Sequence, residues 1–175
     1  MRRLSPLSAI LIGGAIAGAC DITYAITFWA LRGVSATRVL QSVASGLLGA
    51  AAFKGGVTTA ALGLALHFFI AFTAAAIFYL AAKTIPALTR RAFLFGILYG
   101  VAIYAVMNLV VLPLSAFPRK VTFPLLATTT GLAVHMFLIG LPISLAVRRA
   151  FSATTRSDIG IGRLLDQTRS AETRL

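Results

Sequence analysis

Acidic residues are nearly missing from this chain. Four Asp and Glu stand against sixteen Lys and Arg in 175 residues, and Asp21 is the only carboxylate side chain before Asp158. Cysteine is just as scarce. The single thiol, Cys20, excludes an internal disulfide and any cysteine-based metal motif. Charge of either sign is sparse, at 11% of residues where soluble domains carry roughly a quarter. The formal net charge of +12 does not point to nucleic acid, because the basic residues flank apolar stretches instead of forming a patch interleaved with aromatics. Anionic lipid headgroups and the positive-inside rule account for them better.

What is abundant is apolar sequence, 59% of the chain. A hydrocarbon core about 30 Å thick takes about 20 helical residues to cross. Four stretches meet that length, at about residues 7–31, 57–82, 92–114 and 122–147. The expected fold is therefore an all-α, polytopic membrane four-helix bundle spanning residues 1–150. Pro86 helps to end the second span, Pro113 lies near the end of the third, and Pro142 is expected to bend the fourth by removing a backbone donor. Residues 151–175 are polar and Arg-rich and read as a basic cytoplasmic tail, disordered or loosely held on anionic lipid, with one amphipathic turn around Ile159, Ile161, Leu164 and Leu165.

Between the first two spans, Val39, Leu40, Val43, Leu47 and Leu48 recur at helical spacing with Gln41, Ser42 and Ser45 between them. The stretch, about residues 37–50, is too short to span. It reads either as an interfacial or re-entrant helix capped by Ser35 or Thr37, or as a loop tucked against the bundle.

With the N-terminus inside, Arg2, Arg3, Lys83, Arg90, Arg91, Arg148, Arg149 and the tail arginines share one side. Arg32, Arg38, Lys54, Arg119 and Lys120 lie on the other. That asymmetry predicts both termini in the cytoplasm. Arg2, Arg3 and the run Ala17-Gly18-Ala19-Cys20 also resemble a lipoprotein processing site. Ala17 in place of the usual leucine, and the apolar sequence continuing to Leu31, argue for an uncleaved span.

The second and fourth spans share a run. Gly63-Leu64-Ala65-Leu66-His67-Phe68-Phe69-Ile70 matches Gly131-Leu132-Ala133-Val134-His135-Met136-Phe137-Leu138 at five identical positions, both histidines included. The first and third spans each carry two glycines one turn apart, Gly14 with Gly18 and Gly96 with Gly100. A tandem repeat of two-helix hairpins is the expected origin, its copies related by an axis along the membrane normal. The glycine pairs let helix backbones approach closely, more often inside a bundle than between subunits.

Polar residues at membrane depth carry the functional information. A charged aspartate near mid-bilayer costs about 2.5–3.5 kcal/mol on insertion scales, so Asp21 should face the bundle interior with a partner. His67, Asn108 and His135 fall at a similar level on the other three spans, and Tyr24, Thr27 and Tyr104 are expected to complete the hydrogen bonding. Two readings compete. One is a polar cavity in which Asp21 and the histidines exchange protons; the other is a network that fixes helix register, each bond contributing about 0.6 kcal/mol. The histidines taken singly favour the structural reading, and Asp21 the functional one. The histidines lie on separate helices without a local ligand pairing such as HExxH, so no metal and no cofactor is expected.

His67 with Phe72 and Tyr79, then Pro86, the Gly96–Gly100 pair, Asn108, Pro113-Leu114, Pro118, His135 and the Arg148-Arg149 stop resemble the uncharacterised YagU-like family of small bacterial inner-membrane proteins. The likeness covers roughly the second half of the chain and leaves Asp21 outside it. It implies four spans and a bacterial inner (plasma) membrane location, and adds no activity. Three function classes follow. A small carrier or ligand-binding protein would use the four-residue cluster. A non-catalytic component would assemble with a second copy or another membrane protein through its small-residue faces. An intramembrane enzyme ranks last, for lack of a nucleophile–base or metal signature. The expected partners are the lipid bilayer and anionic lipids, with no nucleic acid.

Overall fold

The computed structural model describes residues 4–151, so the expectations for the tail lie outside the described residues. The described residues form helices and no strands, with four helices long and apolar enough to cross a membrane: α1 (Pro6–Ala30), α3 (Gly56–Thr84), α5 (Ala92–Leu114) and α6 (Leu125–Phe151). Two shorter helices, α2 (Ala36–Leu48) and α4 (Ala87–Arg90), join them. The protein is a multi-pass membrane protein built as a four-helix bundle.

Local chemistry sets the ends. Ser5 caps α1 by accepting from the Ser8 amide at 3.0 Å, with Pro6 at the first helical position where its missing N–H is no loss. Ser35 caps α2 through the Arg38 amide at 3.3 Å, so the segment after the first span is a helix and not a loop. Gly49, at a φ of +60°, ends α2 in a conformation that disfavours other residues, and a 3₁₀ turn, Gly49–Lys54, leads into α3.

Proline reshapes α5 and α6. Each contains a π-helical stretch, Met107–Val111 and His135–Gly140, and each stretch ends one residue before a Leu-Pro pair. The Leu112 and Leu141 amides reach back five residues, to the Met107 and Met136 carbonyls. A proline ring has no amide to donate and crowds the carbonyl four residues earlier, and widening the preceding turn relieves both faults. The expected bend at Pro142 is therefore a π stretch just upstream of it.

The bundle is closed by glycine. Gly14 and Gly18 of α1 lie against Phe72, Phe68 and Ala71 of α3, and Gly13 lies against Ile143 and Ala146 of α6. Between α5 and α6, Gly96 and Gly100 meet Gly140 and the His135 carbonyl so closely that an added Cβ would overlap backbone. Gly63 of α3 takes the Leu40 carbonyl of α2 in the same way. The fourth seam, between α3 and α5, has no such glycine, and these two backbones stay apart. They touch toward the end that carries Arg90, Arg91, Arg148 and Arg149, where the Tyr99 hydroxyl donates to the Ala74 carbonyl at 2.7 Å and its ring meets Phe78 at 4.9 Å.

Candidate binding cavity

Where α3 and α5 part, they leave a cavity of about 450 Å³, within the range of small-molecule sites. Each long helix contributes to its wall, and each contributes one of the polar residues singled out above: Asp21 from α1, His67 from α3, Asn108 from α5 and His135 from α6. The rest of the wall is mostly apolar, including Ile70, Ile103, Met107 and Val111. Helix α2 roofs it with Ser42, Val43, Gly46 and Leu47, beside Ser115 and Phe117 from the segment after α5. The Ala116 amide donates to the Gly46 carbonyl at 2.9 Å and ties the two parts of the roof together. Gln41, itself buried, donates to the Gly56 carbonyl at 3.0 Å and holds α2 on α3.

The polar groups are held from behind. His67 Nε2 lies 2.8 Å from the Gly18 carbonyl, so it carries the proton and donates it. Its Nδ1 then faces Asp21 Oδ2 at 4.0 Å, too far for a hydrogen bond. His135 Nδ1 donates to the Gly131 carbonyl at 2.9 Å, and Asn108 Nδ2 donates to the Tyr104 carbonyl at 2.9 Å. The Tyr104 ring stands edge-on to His135, with centroids 5.1 Å apart. Both Asn108 and His135 sit on the π stretches, so the widened turns before Pro113 and Pro142 set their direction. Such turns are frequent at functional sites.

Two expected supporters are elsewhere. Tyr24 and Thr27 line a separate crevice with Cys20, Thr23, Phe28 and Leu138. The Tyr24 hydroxyl is 2.6 Å from Thr130 Oγ1, which draws it toward α6 and away from Asp21. Helical spacing allowed Tyr24 to sit beside Asp21, and the nearby threonine decided otherwise. The roof, the Tyr99 contact and the π stretches were not foreseen. The Leu-Pro pairs at 112–113 and 141–142 were the available signal for the last of these. Among the described residues, no three His, Cys, Asp or Glu side chains are grouped as metal ligands. Scans against family models, curated proteins and solved structures match nothing to this chain.

Proposed function

We propose that this chain is a small membrane carrier or ligand-binding protein whose binding site is the cavity lined by Asp21, His67, Asn108 and His135. One observation carries the reading: four helices each turn a strongly polar side chain into the same apolar-walled space. A network that only fixed register would tie helix to helix. Of the four side chains only His67 does so, through the Gly18 carbonyl of α1; Asn108 and His135 bond within their own helices, and Asp21 has no hydrogen-bonded partner among the described residues. The alternative, a component that assembles through small-residue faces, is weakened because Gly14, Gly18, Gly96 and Gly100 are used inside the bundle.

Duplication of a two-helix hairpin fits this site. Gly18 and Gly100 hold corresponding places in the two halves, and each meets the histidine of its own hairpin, through the His67 ring in one and the His135 carbonyl in the other. Placement in a bacterial inner membrane with both termini inside rests on the YagU-like resemblance and on the basic residues outside 4–151. Within that range the two ends carry five Lys and Arg each.

Thiol labelling tests the cavity. In a Cys20→Ser background, Val43→Cys and Ala74→Cys should react with a small, charged methanethiosulfonate, while Phe69→Cys, exposed on the outside of α3, should not, because lipid keeps a thiol protonated and away from the reagent. Cavity cysteines as inert as Phe69→Cys would make the cluster a closed structural network and end the carrier reading.

A further inference from the structure

The direction in which each polar group is held narrows the class of ligand that the cavity would take. His67 donates an N–H to the Gly18 carbonyl, and His135 donates one to the Gly131 carbonyl. A neutral imidazole has one donor and one acceptor, so each ring is left with an acceptor nitrogen, Nδ1 on His67 and Nε2 on His135. The Asn108 amide nitrogen is turned to the Tyr104 carbonyl, which leaves Oδ1 without a partner among the described residues. Asp21 offers two carboxylate oxygens. The cluster is thus weighted toward acceptors, contributed by four helices.

Charge points the same way. The titratable groups lining the cavity are Asp21 on α1, His67 on α3 and His135 on α6, while α2 and α5 supply none. Among the described residues, no Lys or Arg lines it. At the roofed end, Arg32, Arg38 and Arg119 lie over the rings of Phe28, Phe53 and Phe117. With His67 neutral, its Nδ1 and the Asp21 carboxylate, 4.0 Å apart, face each other as two acceptors that a cationic donor between them would reconcile. A primary ammonium carries three N–H donors and one positive charge. The remaining wall is apolar, and the volume is that of about fifteen waters at about 30 Å³ each.

We propose that the cavity binds a small organic ammonium ion, its charged end between Asp21 and His67 and its apolar body against Ile70, Ile103 and Met107. The proposal rests on the ligand-binding reading above and adds the sign of the ligand's charge.

Three probes of matched length separate the terms: hexylammonium, hexan-1-ol and hexanoate, titrated against the purified full chain in detergent and followed by calorimetry. Hexylammonium should bind saturably, and the other two at least tenfold more weakly. Asp21→Asn should lose at least tenfold in hexylammonium affinity, whereas Tyr24→Phe, in the other crevice, should lose nothing. Should Asp21→Asn not fold, Asn108→Leu replaces it, with a severalfold loss expected. Alcohol binding as tight as the amine, or hexanoate binding tighter, overturns the ammonium proposal and leaves the cavity reading standing. Binding of none of the three overturns it as well, and labelling at Val43→Cys and Ala74→Cys then decides separately whether the cavity reading survives.

Discussion

At the scale of single residues, Asp21 is the one side chain of the cluster without a hydrogen bond among the described residues. It sits in the apolar helix α1, a quarter exposed, and its nearest partner among the described residues is an imidazole nitrogen beyond hydrogen-bond distance. A carboxylate held this way adds little to folding and carries a desolvation cost. Asp21→Asn should therefore unfold at the same temperature as the parent, or higher, when melted in detergent without added amine. A clear drop would make Asp21 a structural partner and move attention to binding proteins. The cluster was legible in the sequence for a simple reason: side chains this polar are rare inside apolar helices, so Asp21, His67, Asn108 and His135 stand out without any knowledge of packing. Tyr24 and Thr27 were misjudged because hydroxyls have many local options. Which neighbour Tyr24 chooses depends on Thr130, more than a hundred positions away, and no spacing rule carries that information.

At the scale of elements, length and hydropathy located the spans to within a few residues at most ends, and the amphipathic pattern of residues 37–50 located α2. The pattern could not tell that α2 is seated on α3 by backbone contact. Gly63→Ala places a methyl group onto the Leu40 carbonyl and should cost about 1–3 kcal/mol, as overpacking does, read as a lowered thermal midpoint. Gly46→Ala, on the same roof, meets nothing closer than Ser115 at 3.7 Å. It should be neutral or stabilising by up to about 1 kcal/mol through helix propensity. Prolines were read as bends, whereas their effect is finer: a widened turn upstream that aims a side chain. Pro142→Ala restores a donor to α6. If proline is what maintains the π stretch, the helix tightens, His135 rotates by about one residue's 100° step, and hexylammonium affinity falls at least tenfold without loss of thermal stability. Unchanged affinity would show that Gly140, wedged against Gly96 and Gly100, holds the turn by itself.

At the scale of the whole molecule, the two described ends carry equal basic charge, and orientation is read by labelling. In Cys20→Ser cells, Lys120→Cys should react with an impermeant maleimide in intact cells, and Thr89→Cys only after permeabilisation; the reverse pattern would invert the topology. The bundle architecture followed from composition, but the inequality of its four seams did not, because it depends on which glycines face which helix. That inequality has a mechanical consequence. The α1–α3, α1–α6 and α5–α6 seams are closed at backbone or methyl distance, whereas the α3 and α5 sides are bridged at two points, Tyr99 on Ala74 at one end of the cavity and the Ala116–Gly46 bond across its roof, so any widening of the bundle falls between those two ties. An opening there would work like a clam's, with the α1–α6 seam as its hinge and these two ties as its clasps.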